Sequence, residues 1–74
     1  MAQEIVEVPL TGKVIEVIVK PGDTVKEEDT LCVIESMKME NPIVATVSGT
    51  IAKIGVAVGQ VVKPGDVIAV IEYQ

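Results

Sequence analysis

Two stretches decide how this chain folds: GKVIEVIVKPGDTVKEEDTLCVIE at residues 12–35 and GTIAKIGVAVGQVVKPGDVIAVIE at residues 49–72. They align without a gap at an offset of 37 positions (12 to 49), and nine of the 24 pairs are identical. A valine-rich composition could produce the aliphatic matches by itself. It could not produce Gly12/Gly49, Gly22/Gly59, Lys26/Lys63, Asp29/Asp66 and Glu35/Glu72 at one offset, so the chain is an internal duplication.

Each copy has the same layout. A strand follows the first glycine, with Ile15, Val17 and Val19 alternating against Glu16, and Ala52, Ile54 and Val56 against Lys53. A glycine turn comes next, at KPGD (20–23) or VGQ (58–60), then a short piece holding Val25 or Val62. A second turn leads into the strand LCVIE or IAVIE. Pro at i+1 and Gly at i+2 of KPGD is the side-chain pattern of a type II turn, because glycine accepts positive φ freely. At the second turn the copies differ: KPGD at 63–66, but KEED at 26–29 with Glu28 in the place of Gly65. Either that turn is type I, or Glu28 holds a positive φ at a cost of about 1 kcal/mol. The 31–34 and 68–71 segments are apolar on both faces, and their pattern alone does not assign the inward one.

Neither copy is large enough to hold a core alone. The expected fold is all-β: a flattened barrel or sandwich of two antiparallel sheets related by a pseudo-twofold duplication, with residues 1–74 as one domain and no helix. Composition agrees. Nearly half the residues are apolar, yet Tyr73 is the only aromatic, and valine and isoleucine are stiff side chains that suit a pleated surface. A chain of this size buries only roughly 60% of its unfolded surface, so the core must be efficient.

Several function classes drop out. The net charge is −5, the six lysines are scattered, and no aromatics are available to stack on bases, which argues against nucleic acid. MAQEIVEV carries Glu4 and Glu7 where a signal peptide needs an apolar run, and no segment is apolar for long enough to span a membrane. Cys32 is alone, which excludes an internal disulfide framework, fits a reducing cytoplasm and suits a small buried hydrophobe. There is no histidine and no arginine, so acid–base catalysis lacks a constellation and a metal site lacks ligands. The glycines occur singly in turns, not as a phosphate-binding loop.

The interval between the copies holds ESMKMENP at 35–42. It follows one strand directly, and NPIVATV reads as the returning strand, so Met37-Lys38-Met39 sits at a hairpin tip. Shifting the repeat backwards pairs Lys38 with Met1, which places the chain termini at the pole opposite this lysine. Two readings follow. Met37 and Met39 fold back on the sheet edge around an ordinary solvated lysine, or the tip presents Lys38 for covalent modification. A lysine becomes a nucleophile on losing its proton, and in water it is almost wholly protonated, so another enzyme must remove that proton.

ESMKMENP, with TGKV before it and Gly49 of SGTI after it, resembles the biotinyl domain family, the biotin carboxyl carrier fold that is sibling to lipoyl domains. The resemblance covers essentially the whole chain, including the duplication and the glycines at 12, 22, 49, 59 and 65. The Met-Lys-Met triplet separates it from lipoyl domains, which usually carry Asp-Lys-Ala there. Ser36 stands where alanine usually precedes the triplet, Glu28 replaces a usual glycine, and no "thumb" loop lies between the first strands.

The resemblance implies a carrier, not a catalyst. Lys38 is then the attachment residue for covalent biotin, with Met37 and Met39 the flanking residues read by a biotin protein ligase. Glu35 and Glu40 are candidate recognition charges, or simply solubilising ones. The implied partners are that ligase, a biotin carboxylase, and a carboxyltransferase or decarboxylase component. The tethered arm raises the effective concentration of its cargo at each active site it reaches. Two alternatives stand beside this reading: a lipoyl carrier, and an unmodified β-sandwich interaction module.

Overall fold

The computed structural model describes residues 1–74. It contains eight strands and no helix: β1 (Ala2–Glu7), β2 (Gly12–Val17), β3 (Thr24–Val25), β4 (Thr30–Ser36), β5 (Met39–Val44), β6 (Gly49–Ile54), β7 (Val61–Val62) and β8 (Val67–Tyr73). They form two antiparallel four-stranded sheets, ordered β1-β8-β6-β3 and β5-β4-β2-β7.

The duplication is larger than its sequence trace. Every strand of the first half recurs 37 residues later, so β1 maps on β5, β2 on β6, β3 on β7 and β4 on β8. Edge strands are exchanged between the halves. Each half places its two long strands at the centre of one sheet and sends a first strand and a two-residue strand to the edges of the other. The fourteen backbone hydrogen bonds outside the ladders fall into seven pairs related by the same shift. Gly22 N–H donates to Ile51 carbonyl oxygen as Gly59 N–H donates to Val14 carbonyl oxygen, so a turn of each half is bonded to a strand of the other. The halves are interlocked.

The core is one cluster of 15 buried residues, all apolar, including Val14, Ile34, Ile51 and Ile71 at 1% exposure or less. The inward pattern of the first strand in each copy differs from the simple alternation expected of it. Val14 and Ile51 are the buried residues, Ile15 is half-buried and Ala52 is exposed. The cause is a bulge in each strand, where register slips between Val14 and Glu16 and between Ile51 and Lys53. One extra residue reverses the phase, so Val17 and Ile54 again pack against the core. In the segments whose pattern was apolar throughout, Leu31, Cys32, Ile34 and Ile68, Ala69, Ile71 face inward.

Four tight turns share one construction. In residues 20–23, 26–29, 57–60 and 63–66 the last N–H donates to the first carbonyl at 2.9–3.1 Å. The side chain at the last position accepts from the first N–H in return: Asp23 from Lys20 at 3.0 Å, Asp29 from Lys26 at 2.8 Å, Gln60 from Ala57 at 3.1 Å and Asp66 from Lys63 at 3.0 Å. The third position has φ near +95° at Gly22, Gly59 and Gly65, and +76° at Glu28. Glu28 therefore takes the second of its two expected forms, a strained type II turn. Its N–H donates to Ala45 carbonyl oxygen at 2.8 Å, and that interlock holds it there.

The remaining positive φ values belong to consecutive residues, Met37 at +53° and Lys38 at +64°. They are the two central residues of the β4–β5 hairpin, closed by the pair Ser36 and Met39. Two positive φ values in a two-residue loop make a type I′ turn, a conformation that asparagine and glycine enter easily and other residues do not. The left-handed region costs roughly 1–2 kcal/mol per ordinary residue. Burying one fully enclosed aliphatic side chain yields about 1.5–3 kcal/mol, so the core outweighs the tip strain easily.

Relieving strain tests this account. Glu28→Gly is expected to raise stability by up to about 1 kcal/mol, and Met37→Asn by about 0.5–1 kcal/mol, as denaturation midpoints that rise at unchanged slope. A second test uses pH. The backbone N–H of Lys63, and then its ammonium at 3.1 Å, hold the Asp66 carboxyl below the usual carboxylate range. Such a group stabilises the fold above its unfolded pKa and loses that contribution as pH falls through the folded value. Asp66→Asn is expected to lower the midpoint at neutral pH, with the gap to the parent chain closing in acid.

Candidate functional site

The hairpin tip projects Lys38 into solvent on the strained turn just described. The molecule has one ion pair, Lys63 with Asp66, and no side chain bonds Lys38, so its ammonium is free. Met37 and Met39 are 92% and 65% exposed. They do not fold back on the sheet edge, which removes that part of the first sequence reading of these residues.

The strands beneath the tip hold it from two sides. Asn41, half-buried, donates from its side-chain amide to the carbonyls of Ile34 and Met39, each at 3.2 Å. It ties the returning strand to the outgoing one directly below the turn. On the other side β2 runs against β4, and Gly12 makes the approach possible: a β-carbon there would stand 2.6 Å from Ile34 Cγ2. Neither Asn41 nor Lys13 was among the candidate residues read from the sequence. Asn41 carried a signal, since asparagine is poorly suited to a strand interior and needs a local reason to be there.

Glu35 and Glu40 are brought together, directly opposite each other one pair below Ser36 and Met39. Lys13 lies opposite Glu35 on its other side, and Val61 opposite Lys13. Directly paired residues share a face of the sheet. The outer face under the tip therefore presents a row running Glu40, Glu35, Lys13, Val61, all exposed. Two carboxylates facing each other repel, and Lys13 offsets this from one side only.

The termini lie at the other pole. Ala2 pairs with Tyr73, and Met1 and Gln74 line one shallow depression with Ser48, Gly49, Thr50 and Glu72. A second depression lies over Ile5, Lys53, Val61, Val67 and Val70. Neither includes Lys38 or its methionines. No helix of the chain is long and apolar enough to cross a membrane. What the tip offers chemically is one reachable amine on a stiff base, with no neighbour placed to activate it.

Comparison with known proteins agrees with this geometry. The family described as "Biotin-requiring enzyme", which takes in biotin and lipoyl domains, matches residues 4–71. The chain is 46% identical over 71 residues to the biotinylated protein TB7.3 homolog of Mycobacterium leprae, covering 96% of this chain and 99% of that one. It is 48% identical over 58 residues to the biotin carboxyl carrier protein of Streptococcus mutans, covering 78% of this chain and 45% of that one. It is also 48% identical over 61 residues to the dihydrolipoyllysine-residue acetyltransferase component of the pyruvate dehydrogenase complex of Mycoplasma capricolum, covering 82% and 14%. Among solved structures, the urea carboxylase of Kluyveromyces lactis superimposes with a TM-score of 0.89 at 35% identity, over 97% of this chain and 6% of that one. The chain thus spans nearly all of the first relative, under half of the second, and a small part of the other two. With an all-β duplicated fold, a strained hairpin presenting one free lysine, and a family match over almost its whole length, this chain belongs to the biotin/lipoyl domain family.

Proposed function

We propose that residues 1–74 act as a single biotin carrier domain, loaded on Lys38 and serving a biotin-dependent carboxylase, decarboxylase or transcarboxylase. The observation that carries this is the free Lys38 amine between two exposed methionines on a left-handed turn. The surroundings of Lys38 fit the group: the amine is accessible for amide formation, and no part of the fold encloses it.

Loading makes limited demands on this chain. Lys38 Nζ must lose a proton, and no group here is bonded to it to take one, so the base belongs to a biotin protein ligase. Lys38 would hold biotin through an amide at Nζ, formed with a biotin carboxyl that the ligase activates from ATP as an adenylate, so that AMP would be released and the nitrogen's proton would pass to the ligase. Met37 and Met39 supply an apolar surface on either side of the nucleophile for the ligase to pack against. Glu35 and Glu40 supply a negative patch one residue pair below, suited to a basic surface. Bound biotin contributes a ring nitrogen that accepts and gives up a carboxyl group. The domain contributes position: the interlocked sheets hold the tip rigid, and the long lysine arm gives reach between active sites.

The domain itself is proposed to be non-catalytic, its eleven acidic residues lying without a histidine or arginine to complete a catalytic set. The implied partners are the ligase, a biotin carboxylase and a carboxyltransferase or decarboxylase component, and the setting is cytoplasmic. A lipoyl carrier is the second reading, favoured by the similarity to the Mycoplasma capricolum chain.

Intact mass after co-expression with a biotin protein ligase and added biotin tests the proposal. The parent chain is expected to gain one biotinyl group, and Lys38→Ala none. A lipoyl-sized gain under lipoylation conditions, with no biotinyl gain, would move the chain to the second reading. No adduct under either condition would leave an unmodified interaction module. In the double change Met37→Asp, Met39→Ala, biotinylation is expected to fall or shift toward lipoylation; an unchanged rate would remove the methionines from recognition.

A further inference from the structure

The sulfur atoms of this chain are unevenly protected. Cys32 is 1% exposed, and burial pushes its thiol above its usual value, disfavouring the thiolate that would attack a peroxide. Met37 and Met39 stand in solvent on either side of Lys38. Met1, 88% exposed, lies at the opposite pole. The left-handed turn fixes the backbone at Met37 and Lys38, and no pocket takes in either flanking methionine. Their thioethers therefore meet solutes without any opening of the fold. Two of the three exposed sulfurs thus border the nucleophile.

We propose that Met37 and Met39 form a paired oxidation site for hydroperoxides, and that their sulfoxide state closes Lys38 to loading. The proposal rests on the reading of Lys38 as the attachment residue. In each step the thioether sulfur attacks one peroxide oxygen. The S–O bond forms as the O–O bond breaks, sulfur is oxidised by two electrons, and the other oxygen leaves as water or an alcohol after taking up a proton. Reduction by a dithiol reverses it: two thiols become a disulfide and the oxygen departs as water. A sulfoxide replaces a soft apolar surface with a polar, chiral one. A partner that packs on these methionines must then bury an oxygen with no hydrogen-bond donor to meet it. The charge, backbone and reach of Lys38 do not change, so the loss falls on recognition and leaves the nucleophile intact.

The test treats the full chain with hydrogen peroxide, removes the peroxide with catalase, maps oxygen uptake by peptide mass, and follows biotin incorporation by a biotin protein ligase. Met37 and Met39 are expected to gain one oxygen each while Cys32 stays reduced, and loading is expected to slow about tenfold or more. Methionine sulfoxide reductases should restore the rate. Met1→Leu should lose rate on oxidation as the parent does. Met37→Leu, Met39→Leu, compared with itself before and after peroxide, should keep whatever rate it starts with. A doubly oxidised chain that loads at the untreated rate would overturn the proposal, as would a loss that persists in the double leucine variant. Oxygen uptake at Met1 with Met37 and Met39 spared would also overturn it, with no ligase needed for that readout. Failure of the untreated chain to take biotin is a different result, and it strikes the attachment reading itself.

Discussion

At Gly12 the backbone of β2 comes so close to β4 that a β-carbon would stand 2.5 Å from the Glu35 carbonyl oxygen, and Gly49 makes the same approach to Glu72 and Ile71. This contact is where the duplicated fold and the Lys38 hairpin meet. It presses the start of one central strand on the end of its neighbour, immediately before the chain leaves the sheet for the hairpin. With a side chain there, Ile34 would have to leave its fully buried place or the strands would part. In the first half the end so held leads to Lys38; in the second it leads to the terminus at Gln74. One constraint is used twice, once in each half.

The tip departs from what its local sequence prefers, and the fold sustains the departure. Two ordinary residues sit at positive φ where asparagine and glycine are at ease, and two carboxylates face each other one pair below. These costs are each small beside a core of fifteen buried side chains to which every long strand contributes. The interlock matters here, because a hairpin on one free-standing sheet could relax by twisting or slipping register. Here β5 is held by Asn41, and Ala45 just beyond it exchanges backbone hydrogen bonds with Glu28 and Asp29, so the strain remains at Met37 and Lys38.

Much of this was legible in the sequence because its physics is local. Gly22, Gly59 and Gly65 announce positive φ, and the aspartates at 29 and 66 close the turns they end. Gln60 does the same work as Asp23 under a different letter, which no matching of identities could show. The equivalence of β1 and β5 was not legible: AQEIVE and MENPIV share no residue at matching positions, and what unites them is a burial pattern that puts Val6 and Ile43 inward at the same place. The bulges at Ile15 and Ala52 were invisible too, since a strand's alternation gives no sign that one residue is skipped. Lys38 stood out as the centre of a motif that the recognised repeats left unmatched. Its two helpers, Asn41 and Lys13, become meaningful only through register across strands, and a linear pattern does not carry register.

The seam of the duplication explains why the lysine is where it is. With strands repeating at 37, the halves join between Met37 and Lys38, in the two-residue loop that links β4 to β5. Residues on either side of it act as turn acceptors, interlocking amides or core side chains. Met37 and Lys38 do none of these: both lie outside the strands and are exposed. A residue there can be free of hydrogen bonds, exposed and strained without disturbing either sheet, and those are the properties an amine needs if another protein is to reach it. The same freedom leaves the flanking side chains to be set by what approaches the tip, which is why methionine can stand there in water.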